Sequence, residues 1–123
     1  MKQEYIIGDI VMYDNKIMVV KEPRDGIHFD LSCLEEGLVY CFVGVDEIKP
    51  VSLTPDILEK NGWREEKGDY INDNYHIRLC EKIDGYSAYK VVNDAIVWLR
   101  DVESVSDLQH LFFGLNLISE MEV

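Results

Sequence analysis

Turn-forming residues cut the first fifty residues of this chain into pieces too short for anything but strands. Asp14-Asn15-Lys16 separates Ile10-Val11-Met12-Tyr13 from Ile17-Met18-Val19-Val20, and Asn and Asp tolerate the positive φ of a tight hairpin. Pro23-Arg24-Asp25-Gly26 makes the next turn. Beyond it Ile27, Phe29 and Leu31 alternate with His28, Asp30 and Ser32, a period of two with one face wet. Glu35-Glu36-Gly37 leads into Leu38-Val39-Tyr40-Cys41-Phe42-Val43, an apolar run suited to a central strand, and Ile48 and Val51 flank Pro50 in a last short strand. So many short strands in this span predict a small curled sheet or barrel.

The pattern then changes. In Ser52-Leu53-Thr54-Pro55-Asp56-Ile57-Leu58-Glu59-Lys60-Asn61-Gly62-Trp63 every local cue agrees on a short helix. Thr54 caps it, Pro55 occupies a first position where its missing N–H costs nothing, and Asp56 meets the positive end of the dipole. Leu53 and Leu58 hold the positions of a hydrophobic staple. Gly62 closes the helix in the left-handed conformation, with Trp63 packing back on Leu58. Strands resume with Tyr75, Ile77 and Leu79 alternating against His76, Arg78 and Cys80. Turns at Asp84-Gly85 and Asn93-Asp94 separate Tyr86–Val92 from Ala95–Arg100, which predicts an antiparallel meander of three strands. A last helix runs from about Val105 to Asn116, with Ser104 and Asp107 at capping-box spacing and Val105, Leu108, Leu111, Phe112 and Leu115 on one apolar face. The expected fold is therefore α+β: an N-terminal SH3-like or curled antiparallel β-sheet followed by an α-β-β-β-α unit. Residues 1–123 are expected to form a single compact domain, with a β-rich, barrel-like part over 1–51 and the α-β-β-β-α part over 52–123.

Ile7-Gly8-Asp9-Ile10-Val11 resembles the G-D-x-V opening strand of many SH3-like small barrels. Together with the Leu53–Trp63 segment and Val105-Ser106-Asp107-Leu108-Gln109-His110-Leu111-Phe112-Phe113, it is similar to a group of short proteins of no assigned activity. These are carried by gut bacteria of the Bacteroides type and by their phages and mobile elements. They share an I-G-N/D-x-V strand, an L-T-x-x-x-L-x-x-x-G-[FW] helix and a C-terminal V-H-x-L-Q-x-L-x-F helix, in that order. Ser106 stands where that group often has His, so no role of that His carries over here. The resemblance implies a phage- or mobile-element context and no particular chemistry.

Charge narrows the partners. The chain has 24 acidic residues against 12 Lys+Arg, a net −12, and the excess is spread along it rather than gathered into a tail. Neutralising phosphates takes clustered Lys and Arg, so direct nucleic-acid or membrane binding is not expected. Cys33, Cys41 and Cys80 fit neither a disulfide framework nor paired metal knuckles, and read as reduced thiols in a cytoplasm. Met1-Lys2-Gln3-Glu4 does not open a signal peptide, and no stretch approaches a membrane span.

No catalytic, cofactor or metal site is expected. His28 and Asp30 lie two apart on a strand face with no third ligand near in sequence. His76 and Cys80, four apart on an extended strand, are separated by ~13 Å. His110 reads as a surface histidine. Asp69 with Asn72-Asp73-Asn74 is rich in oxygen ligands but lacks the order and closing Glu of an EF-hand, so it reads as a turn. The glycines sit singly, and neither P-loop, G-x-G-x-x-G nor G-x-S-x-G is present.

What stands out is aromatic density between Trp63 and Trp98. Tyr70, Tyr75, Tyr86 and Tyr89 are candidates for a protein-binding surface, because Tyr favours surfaces that are both wet and gripping. Tyr86–Val92 carries apolar groups on both faces, so one packs on the helices and the other needs either residues 1–50 or a partner. The expected function is that of a non-enzymatic protein-binding or accessory protein, engaging a foreign protein or forming a weak homodimer. Two alternatives are an acidic DNA mimic that inhibits a nucleic-acid-binding enzyme, and nucleic-acid binding through the SH3-like part.

Overall fold

A computed structural model of the chain describes residues 5–33 and 35–123. The segment Met1-Lys2-Gln3-Glu4, and with it the signal-peptide reading, lies outside the described residues. The chain falls into two compact units, Met1–Val51 and Ser52–Val123, each holding one five-stranded antiparallel sheet. Two short α-helices, both in the second unit, complete an α+β chain in which strand predominates. Among the described residues no helix is long and apolar enough to cross a membrane.

In the first unit the strands are β1 (Ile10–Tyr13), β2 (Lys16–Pro23), β3 (His28–Cys33), β4 (Leu38–Gly44) and β5 (Lys49–Pro50), with a 3₁₀ turn over Val45–Glu47 before the last. Their order across the sheet is β4-β3-β2-β1-β5. Asp14 and Asn15, at φ 52° and 60°, form the hairpin turn, which is one residue shorter than expected because Lys16 already pairs with Tyr13 as the first residue of β2. Alternation then delivers Val11, Met18, Val20, Phe29, Leu31, Cys33 and Val43 to one buried cluster.

Two expectations fail in this unit. Leu38–Val43 is not a central strand: β4 lies at the sheet edge, with Leu38, Val39 and Phe42 exposed. A continuous apolar run signals burial on both faces only where neighbours flank the strand, and β4 has one neighbour. Asp30 is not on a wet face either. It is buried, receives Arg24 Nε at 2.9 Å and the Phe42 amide at 3.0 Å, and stands where the β2–β3 and β3–β4 registers shift.

The second unit begins with α1 (Pro55–Lys60). Thr54 Oγ1 accepts the Ile57 amide, Gly62 sits at φ 84°, and the Trp63 and Gly62 amides return to the carbonyls of Leu58 and Glu59 in a Schellman close. The strands β6 (Arg64–Glu66), β7 (Asp69–Asn72), β8 (Ile77–Lys82), β9 (Gly85–Val92) and β10 (Ala95–Val102) form a meander in sequence order. Five strands therefore separate the helices where three were expected. The two additional ones are short, β6 being charged throughout and β7 having only Tyr70 and Ile71 as apolar residues, side by side rather than alternating. Tyr75 and His76 belong to the turn before β8 rather than to the strand, and His76 adopts φ 56°.

α2 (Val105–Gly114) carries the full capping box: Ser104 Oγ accepts the Asp107 amide at 3.1 Å, and the Asp107 carboxylate accepts the Ser104 amide at 3.3 Å. Its inner face buries Val105, Leu108, Leu111 and Phe112, but also Ser106 and Gln109. Leu115, expected on that face, is exposed because the helix has already ended; Asn116 turns left-handed at φ 60° and the Leu117 amide returns to Phe112. The buried polar groups have partners, Ser106 Oγ with Ser104 Oγ and Gln109 Nε2 with the Ser119 carbonyl. The same arrangement follows beyond α2, where the Asn61 side chain donates to the Glu122 carbonyl and accepts from its amide.

Candidate functional site

The pleat of the second sheet decides which aromatic residues can meet a partner. Residues directly opposite in an antiparallel ladder share a face. Tyr86 stands opposite Val102 and Glu81, and Tyr70 opposite Leu79, all on the helix-covered side. There Tyr70 and Tyr86 are buried and meet edge to face at 6.1 Å. Burial pushes both phenols above their ordinary pKa. They are core residues of this unit rather than surface grips. Tyr75, half-buried in its turn, packs edge-on against Phe112 at 5.5 Å and with Trp63 and Asn72 lines a hollow of about 170 Å³. Its carbonyl accepts Lys90 Nζ.

Of the four tyrosines, only Tyr89 lies on the opposite face. Cross-strand register places Arg64, Ile71, Arg78, Tyr89 and Trp98 in one row across all five strands. Beside that row Val91 stands opposite Ile96. Trp98 and Ile96 are 57% and 59% exposed, and Ile71 and Tyr89 are half-buried. At the β7–β8 end the face sinks into a groove of about 210 Å³ lined by Ile71, Asp73, His76, Arg78 and Val91. The four strands β7–β10 thus present an apolar and aromatic surface with Arg78 at its middle and further charged residues around it.

Those charges are held in place rather than free. Arg78 donates to Asp69 Oδ2 through Nε at 3.0 Å and Nη2 at 2.8 Å; Arg64 reaches both Asp73 and Glu66, and Lys82 reaches Asp101. These partners raise the pKa of the cations and hold Asp73, Glu66 and Asp101 below the usual carboxylate range. Asp69 and Asp73, the oxygen donors of the supposed turn site, are thereby committed to guanidinium groups. Among the described residues no group of His, Cys, Asp and Glu is placed to hold a metal. The Cys80 thiol, which shares the open face, is pushed up first by burial and then by nearby Asp69, the opposite of what a nucleophile needs.

The first unit offers one further exposed aromatic. Phe42, 58% exposed, holds φ 55°, a conformation in which a bulky residue is strained. Its amide is tied to Asp30, and Arg24, anchored on the same carboxylate, lies 5.3 Å from the ring centroid.

Sequence reasoning located the aromatic density and set Tyr86 and Tyr89 on opposite faces of one strand, but not which of those faces is core. Ile71, Arg78, Val91, Ile96 and Trp98 were missed as a set, although one signal was available: residues equidistant from the Asn93-Asp94 turn pair, which joins Tyr89 to Trp98 and Val91 to Ile96. Compared with known proteins, the chain matches no protein-family model, and no curated protein and no solved structure matches it either.

Proposed function

We propose that this is a non-enzymatic accessory protein of phage or mobile-element origin, working in a cytoplasm, which grips a protein partner on the open face of its second sheet. The observation that carries the reading is the Ile71–Arg78–Tyr89–Trp98 row with Val91 and Ile96 beside it. It combines aromatic, Arg and aliphatic groups, the composition of protein-recognition surfaces, with the central Arg78 held by Asp69. For the first unit we read an SH3-like barrel. Its support is the strand order β4-β3-β2-β1-β5 with a 3₁₀ turn leading into a last strand that returns to β1. A DNA mimic needs rows of unpaired carboxylates on one face, and the carboxylates beside this row, Asp69 and Asp73, are paired with Arg78 and Arg64, which weighs for the protein-binding reading of this face.

Tyr89→Ala and Val91→Asp alter the open face, while Ile83→Asp, at a fully exposed turn, serves as control. In capture experiments from the native cell, the same partner should be held by the wild type and Ile83→Asp. Binding should be lost at least about tenfold in Val91→Asp and Tyr89→Ala, and melting should shift little because neither side chain is core. Tyr86→Ala should instead cost several kcal/mol of stability. Equal capture by all four proteins would refute the face.

A further inference from the structure

Four strands lie at sheet edges, and three of them are protected. β5 is Lys49-Pro50, in which Pro donates nothing to a ladder, and β6 is Arg64-Glu65-Glu66, charged throughout and exposed. β4 is interrupted by a register shift and by Phe42 at φ 55°. β10 differs from all of them. Ala95-Ile96-Val97-Trp98-Leu99 contains no charge, Pro or Gly, and its register against β9 is unbroken from Ala95 to Trp98, shifting only beyond, between Trp98 and Arg100. Among the described residues no backbone hydrogen bond from outside the β9–β10 pair reaches residues 95–99.

The hydrogen-bond phase of that edge follows from the hairpin. Asn93 and Asp94, at φ 48° and 68°, form a two-residue turn, so the flanking Val92 and Ala95 exchange the closing pair of hydrogen bonds. Alternate residues then point the other way, and Ile96 and Trp98 direct their N–H and C=O groups at the open edge.

We propose that a second copy of the chain pairs there, β10 antiparallel to β10, about a two-fold axis at Val97. The register is self-complementary. Ile96 of each copy meets Trp98 of the other, the two residues with free backbone groups, giving four new hydrogen bonds, while Val97 meets Val97 in the close, non-hydrogen-bonded pair. Asp94 of each copy comes near the end of the strand where Arg100 of the other lies, beyond the register shift and 3.6 Å from its own Asp107, and no charge lies between those ends. For chains of net −12 that matters, since most other contacts would set carboxylate against carboxylate. The pairing also joins the two open faces into one continuous sheet surface. It enlarges the surface that the protein-binding reading above assigns and rests on that reading for its purpose, not for its geometry.

Val97 is 52% exposed, so a charge there should leave the fold intact while placing like charges together at the axis. Sedimentation at roughly 100 μM should find the wild type dimeric and both Val97→Lys and Val97→Glu monomeric, a loss of at least about tenfold in affinity. An equimolar mixture of the two variants should regain the dimer. Hydrogen exchange of the wild type should show the Ile96 and Trp98 amides slowing as concentration rises, which reads the contact without any substitution. A monomeric wild type, dimers indifferent to both charges, or amides whose exchange ignores concentration would overturn the pairing. Partner capture that depends on Val91 would survive that outcome, and a dimer that persists in Val91→Asp while capture proves indifferent to it would refute only the open-face reading.

Discussion

At the scale of single residues, Gly62 and Gly85, two of the glycines at positive φ, resist substitution for different reasons. Gly62 closes α1 at φ 84° with open space where a Cβ would stand, so only backbone strain opposes a side chain. Gly85, at φ 144°, opens β9 where a Cβ would come within 2.6 Å of the Val102 carbonyl and 3.0 Å of Glu103 Cα. Both of those neighbours are backbone of the adjoining strand end and cannot swing aside. Gly62→Ala should therefore cost about 1 kcal/mol and Gly62→Asn less. Gly85→Ala should cost roughly 2–4 kcal/mol, strain and overlap together. Denaturant midpoints would measure both, and equal losses would show that the close approach at Gly85 relaxes without cost.

At the scale of elements, Asp30 fastens three strands of the first sheet. It sits in β3, binds Arg24 at the end of β2, and accepts the amide of Phe42 in β4. The Arg24 hydrogen bonds come first and the Phe42 amide second in holding its carboxyl below the usual range. A carboxyl whose pKa is lower folded than unfolded releases its proton more readily in the folded state. Its stabilisation is present above the unfolded value, about 3.9, and is lost as pH falls through the folded one. Asp30→Asn should thus be less stable than the wild type near neutrality, with the gap closing as the pH drops below about 4. Urea midpoints across that range test it, and a gap independent of pH would mean that the contribution of Asp30 is steric rather than ionic.

At the scale of the whole molecule, net charge opposes compactness. Twelve uncompensated negative charges repel one another over a Debye length that shrinks from about 30 Å at 0.01 M salt to 3 Å at 1 M. The exposed ion pairs that salt would weaken contribute at most about 1 kcal/mol each. The melting temperature should therefore rise by a few degrees across that range of NaCl. A fall would show that paired charges outweigh the excess.

The sequence by itself determined what is local. Thr54, Pro55 and Gly62 bounded α1, Ser104 and Asp107 started α2, and Asp14-Asn15 and Asn93-Asp94 placed their hairpins, because caps and tight turns are satisfied by atoms within a few residues. Only the tertiary structure decided what depends on neighbours distant in sequence. It put the apolar run Leu38–Val43 at an edge, since strand order is set by pairing and not by hydrophobicity. It added β6 and β7, whose polar sequences form strands by extending the ladder from β8. It buried Asp30 beside Arg24, and it separated Tyr70 and Tyr86 in the core from Tyr89 and Trp98 on the open face. Alternation within β9 already sets Tyr86 and Tyr89 on opposite faces; which face is core, and which residues of the neighbouring strands share it, rests on cross-strand register and packing.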